Sequence, residues 1–362
     1  MKKLIVLLVI LNWSCASIKK TNTIKELRFI GEQIIPSNSI YKNTKVGGLS
    51  SIDYANGKYY LISDDRKKSI RFYEMELDYN KNNFKKVTIT NVIKIDIDQK
   101  GLDPESLRYD KKNNHFLWTS EGDIRKNIDP KVFEIDFNGK PIKTYKTPSI
   151  FLAKNNKKNY GTRRNGTFEG LSMSKNAKFY WLGMELPLKQ DGKEPQIATG
   201  NYPIRISKIN KKTNKLVYQF AYLLDNIPRN SIPKNKFIVN GCPEILELNK
   251  NNFLFIERAY ASGHKDGGNT IKIYLVNNKN ATDISNIKAL KQADFKTATK
   301  KLIFNFEAIR SKLTDGIIDN IEGITFGKKL ANGNQTIVVV SDNNFNKFSK
   351  QLNQIIVLEV IK

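Results

Sequence analysis

Cysteine and histidine are almost missing from this chain: 362 residues contain two of each. The two cysteines, Cys15 and Cys242, and the two histidines, His115 and His264, share no close spacing, which argues against a structural zinc site. Cys242 reads as a small buried side chain rather than a nucleophile. No Gly-x-Ser-x-Gly elbow and no phosphate-cradling Gly-rich lysine loop occurs, so Ser-His-Asp hydrolases and P-loop enzymes are set aside. No nucleic-acid-binding motif is present. Acids are scarce beside bases, 35 against 61, for a net charge of +26. Such a balance suits phosphate esters, other polyanions or a membrane surface. Abundant Lys, Asn and Ile also describe a plainly solvated surface with compositional bias.

Long apolar runs are missing too. The one candidate, Leu4 to Trp13 behind two lysines, is shorter than the ~20 residues a spanning helix needs. Residues 1–14 read as a signal peptide. The Cys that follows resembles a bacterial lipobox, which implies cleavage before Cys15 and a lipid on its sulfur. Residues 15–25 then form a tether and 26–362 a single domain. The segment after Cys15 carries no acidic run, which favours a periplasm-facing anchor in the cell envelope, in the outer membrane, with surface exposure as the alternative.

What the chain does have is a repeat. Five segments, starting at Gly47, Glu105, Glu169, Glu244 and Glu322, share one form. An opening acid (Gly in the first) leads into alternating apolar positions and a turn rich in Asn, Lys and Gly. A strand ending in Asp or Glu follows. Alternation and turn chemistry both specify β-hairpins. The intervals hold further strands, such as "KVFEIDFNG" and "PIKTYKTP", so each unit makes a four-stranded antiparallel sheet. Repeated sheets of this size predict an all-β propeller of five blades, with six as the alternative. The last unit lacks a strand, and "IKELRFIGEQII" near the start is available to close the ring beside "NQIIVLEVI".

In a hairpin the start of one strand lies beside the end of the other. Glu105 should therefore meet Glu121, Glu169 meet Glu185, Glu244 meet Glu257, and Glu322 meet Asp342, all at one channel mouth, with Asp64 closing the first hairpin alone. Like charges so placed repel unless protons or a cation neutralise them. Oxygen-only ligands point to Ca²⁺, with Mg²⁺ or Mn²⁺ as alternatives. The expected ligands are Glu105, Glu169, Glu244 and Glu322, joined by Asp64 and Asp342. Loops opening on the same rim carry Arg163, Arg164, Arg258 and Lys265, which suit phosphate or carboxylate oxygens. His115 falls on the opposite face.

At "RNGTFEGLSM", "PEILEL" with "FLFIERAY", and "IEGITFG" with "VVVSDNNF", the sequence resembles the phytase-like family of bacterial secreted propellers. That resemblance implies a propeller with metal-dependent phosphoesterase-type activity. The reading is a calcium-dependent phosphate-ester hydrolase, monomeric and lipid-anchored, acting on an anionic small molecule. Glu169, Arg164 and Arg258 are the expected catalytic groups, and Arg163 and Lys265 would add to the substrate contacts. The alternatives are a non-catalytic, metal-stabilised propeller that binds an anionic glycan or protein, and a metal-dependent lactonase or carboxylesterase.

Overall fold

The computed structural model describes residues 24–66, 69–97, 99, 101–346 and 349–362. Residues 1–23, and with them Cys15 and the leader, lie outside the described residues. Among the described residues no helix is long and apolar enough to cross a membrane.

The described strands form five four-stranded antiparallel sheets and one two-stranded hairpin. Blade 1 runs from its inner strand Leu49–Ala55 through Lys58–Ser63 and Arg71–Tyr79 to Phe84–Lys94. Blade 2 uses Pro104–Asp110, His115–Ser120, Lys131–Ile135 and Pro141–Tyr145. Blade 3 uses Phe168–Met173, Phe179–Met184, Pro203–Asn210 and Leu216–Leu223. Blade 4 uses Ile238–Asn249, Asn252–Ala261, Asn269–Asn277 and Thr299–Asn305. Blade 5 uses Ile321–Phe326, Thr336–Ser341 and Asn353–Ile361, and takes its outer strand, Glu26–Ile35, from the other end of the chain. That closing pair sets Leu27 opposite Val360 and Phe29 opposite Leu358. The fold is a five-bladed β-propeller closed by its terminal strands. The longer intervals late in the chain hold loops and 3₁₀ turns rather than a sixth blade.

Alternation explains the core. Each inner strand sends one apolar side chain between blades, namely Ile52, Leu107, Leu171, Ile245 and Ile324, all fully buried. Inner strands also approach each other closely. A Cβ on Gly323 would lie 2.9 Å from the backbone N of Ile52, and one on Gly170 would lie 3.2 Å from that of Ile245. The glycine after the opening acid in "FEGL" and "IEGI" is there because the neighbouring backbone leaves no room for a side chain.

The channel axis is not empty below the mouth. Arg108 on blade 2 donates to the carbonyls of Leu171 (2.6 Å) and Ile52 (2.7 Å), and its third nitrogen lies 2.7 Å from Glu244. Glu244 also accepts from Ser51 (3.0 Å), Ser106 (2.7 Å) and the amide of Leu171 (2.8 Å). One buried ion pair thus ties four blades together across the axis.

Candidate metal centre at the channel mouth

Each hairpin of blades 1, 2, 3 and 5 ends in the same extra bond. The amide of the closing acid donates to a carbonyl just before the opening strand: Asp64 to Gly48 (2.8 Å), Glu121 to Asp103 (3.0 Å), Glu185 to Thr167 (3.0 Å) and Asp342 to Asn320 (2.9 Å). Each opening strand also bulges at the acid, between Pro104 and Leu107, Phe168 and Leu171, and Ile321 and Gly323. A bulge turns a side chain out of the regular pleat. Together the two features bring Glu105, Glu169 and Glu322 alongside Glu121, Glu185, Asp342 and Asp64 around one cavity of about 520 Å³.

Blade 1 and blade 4 depart from the predicted phase. In blade 1 the bulge lies between Leu49 and Ser51, so Ser50, not Gly47, stands where other blades carry the opening acid. In blade 4 the ladder pairs Gly241 with Arg258 and then Glu244 with Ile256, so Cys242 occupies the acid's place and Ala259 that of the closing acid. Glu244 is therefore not at the mouth but in the axial ion pair. Glu257 is buried between blades 3 and 4, accepting from Tyr222 and Lys300 (both 2.6 Å) and from Asn240 and the Asp225 amide (both 2.9 Å). Glu244 is corrected from metal ligand to structural residue, because all its oxygen capacity is spent inside the fold.

Burial is the largest influence on Asp64, Asp103, Glu105, Glu169, Glu322 and Asp342. It raises the carboxyl of Asp64 to about 6, against the pull of Arg66. It raises Asp103 to about 8 although Arg66 forms an ion pair with it. Glu322 rises to about 7, opposed by Arg258. Glu105 and Glu169 rise well above the carboxylate range, first through burial and then through neighbouring acids. Asp342 does the same beside Asp64 and Glu322.

The tightest set includes an acid not picked out in the sequence. Carboxylate oxygens of Asp103, Glu105 and Glu121 all lie within 4.8 Å of one another and can hold a metal ion. One oxygen of Asp103 and one of Asp64 are buried without a hydrogen-bond partner among the described residues. Unpaired buried oxygens are costly, and oxygen-only donors fit a hard cation.

The basic residues divide. Arg258 is half-buried and donates to Glu185 (3.1 Å) and Glu322 (3.0 Å), and its Nε has no partner among the described residues. Arg164 is exposed and lines both the mouth cavity and a smaller one of about 230 Å³ beside it. Arg163 lines the smaller cavity but not the mouth cavity, and its guanidinium is bonded to the carbonyls of Pro187 (2.9 Å) and Gly192 (2.8 Å) and to Glu194 (2.9 Å). Lys265 is exposed and does not line the cavity. Arg66, which had not been singled out, lines both cavities. His115 sits away from the mouth, 3.0 Å from Glu134.

Residues 44–345 match the phytase-like family, described as "esterase-like activity of phytase". The chain belongs to this family. No curated protein matches it. Several solved structures of similar fold are glycosidases. The catalytic domain of the Coprinopsis cinerea GH62 α-L-arabinofuranosidase is 8% identical, covers 93% of this chain and 98% of its own, and has a TM-score of 0.47. A thermostable family-43 glycoside hydrolase is 9% identical, with coverage of 86% and 88% and a TM-score of 0.45. A GH43 β-1,3-galactosidase with galactodeoxynojirimycin is 10% identical, with coverage of 90% and 94% and a TM-score of 0.45.

Proposed function

We propose that this phytase-like protein hydrolyses phosphate esters with the help of a divalent cation, calcium first, and is held in the cell envelope by a lipid on Cys15. The observation that carries the reading is the Asp103–Glu105–Glu121 triad, of which Glu105 and Glu121 line the mouth with Arg66, Arg164 and Arg258, and Asp103 lines the adjoining smaller cavity. Asp103, Glu105 and Glu121 would hold the cation, which supplies positive charge to phosphoryl oxygens. Arg164, exposed and without an ion-pair partner among the described residues, orients the phosphate as it enters. Arg258 donates to Glu185 and Glu322 and holds them in place. Glu169 has its carboxyl pushed up by burial and by the neighbouring acids Glu121, Glu185 and Glu322, which favours its protonated form. It is the group to protonate the leaving oxygen.

The test is hydrolysis of phytate, p-nitrophenyl phosphate and a phosphodiester, with chelator and with calcium restored. Calcium-dependent release of phosphate is expected. No turnover with any divalent ion would remove the enzyme. A second reading has its own observation: Glu121 of blade 2 accepts from the amides of Gly166 (2.5 Å) and Thr167 (2.7 Å) of the segment leading into blade 3. Bonds of that kind rivet blades, so a non-catalytic propeller stabilised by the cation is the rival. It wins if calcium raises the melting temperature while every ester, lactones included, stays intact.

A further inference from the structure

Blade 4 gives the mouth no carboxylate and puts something else in its place. Its first two strands, Ile238–Asn249 and Asn252–Ala261, have 12 and 10 residues, whereas those of blade 3 have 6 each. The added length projects from the mouth end, since Ile238 pairs with Ala261 beyond the Gly241–Arg258 pair that marks the rim. Phe237, Ile238, Val239 and Tyr260 thereby line the cavity.

Phe237 is 66% exposed, yet its backbone is fixed. The Ser262 amide donates to its carbonyl at 3.0 Å, and the Ile232 amide donates to Ser262 at 2.9 Å. Its ring centre lies 6.0 Å from that of Tyr260, with the planes inclined by 42°. Backbone bonds fix this residue in place, and among the described residues its ring is left largely uncovered beside Tyr260. Inner strands of blade 4 contact those of blades 3 and 5, so blade 4 stands across the ring from the triad of blade 2. Blades 1, 2, 3 and 5 line the cavity with acids, and blade 4 lines it with Phe237, Ile238, Val239 and Tyr260 beside Arg258.

We propose that this wall binds an aromatic group on the substrate, so that the site takes aryl phosphate monoesters in preference to polyphosphorylated rings. The proposal rests on the phosphate-ester reading above. A ring with phosphate on every carbon has no apolar face to set against Phe237 and Tyr260. An aryl ring stacks at 4.5–7 Å from such side chains while its phosphate reaches the opposite side. The cavity, about 520 Å³, holds both parts.

Calorimetry on the calcium-loaded protein tests this, with phenylphosphonate against methylphosphonate and benzoate against acetate. The phenyl compound should bind about tenfold tighter in each pair, a gain of the size stacking supplies. Phe237→Ala should reduce that preference to about twofold, with an unchanged melting curve because the ring is exposed. Equal binding within both pairs, or a preference that survives Phe237→Ala, overturns the wall. If only the phosphonates fail to bind, the phosphate reading falls, and the benzoate–acetate ratio still decides the aromatic site.

Discussion

Glu244 and Glu169 belong to sequence repeats that look alike, yet they sit in opposite circumstances. Glu244 is fully bonded, to Arg108, two serines and two backbone amides. Removing one partner of a buried pair strands the other, at a cost of about 3–5 kcal/mol. Glu244→Ala should therefore lower the melting temperature by about 4–7 °C, given the entropy of unfolding of a chain this size. Calcium binding should survive in that variant, and calorimetry with and without calcium reads both. Glu169 is buried among acids that push its carboxyl up. A raised carboxyl favours the protonated form in the fold, so the ionised form opposes folding. Glu169→Gln mimics the protonated state. In chelator at pH 8 it should melt no lower than the parent and somewhat higher, and it should keep calcium-induced stabilisation, because Asp103, Glu105 and Glu121 hold the cation. A lower melting temperature in chelator would show that Glu169 is a structural acid like Glu244.

At the scale of elements, the blade count, the closing strand and the phase of blades 2, 3 and 5 were legible in the sequence. Alternation and turns spell strands, and the opening acids Glu105, Glu169 and Glu322 repeat at the mouth. Blade 4 was not legible. "EILEL" carries an acid followed by alternating apolar residues, as "EGLSM" does, and nothing local reveals that the strand is shifted by two positions. The shift is fixed by Arg108, 136 residues earlier, which needs a carboxylate on the axis. Asp103 and Arg66 escaped notice for a similar reason, since both lie just outside the strands and reach the site through loop geometry. The closing strand gives its own expectation. Leu27, buried opposite Val360, is one of the side chains that attach the N-terminal strand to blade 5. Leu27→Ala should cost about 2–5 kcal/mol by the usual transfer and cavity terms. Urea unfolding should stay a single transition at a lower midpoint. A separate early transition would mean that the ring opens before the blades melt.

For the whole molecule, the mouth couples folding to pH and to cation. In the metal-free protein the folded chain holds protons on Asp64 up to about 6, on Glu322 to about 7 and on Asp103 to about 8. The unfolded chain releases them near 4. Between those limits the folded state binds more protons, so stability falls as pH rises. Chelated protein should melt higher at pH 5 than at pH 8, by an amount worth on the order of a few kcal/mol. Calcium displaces those protons, so its stabilisation should grow over the same range. A melting temperature that is flat with pH in chelator would mean the acids are neutralised by arginines alone.

The central claim is that the acids at this mouth form a cation centre, and direct titration of calcium at pH 8 tests it. Calcium is added to chelator-stripped protein in a calorimeter, for the parent and for Asp103→Asn. Saturable binding is expected in the parent, with affinity weaker by about 100-fold or more in the variant, whose melting curve confirms that it folds. No saturable heat in the parent, or the same affinity in both proteins, would contradict the account.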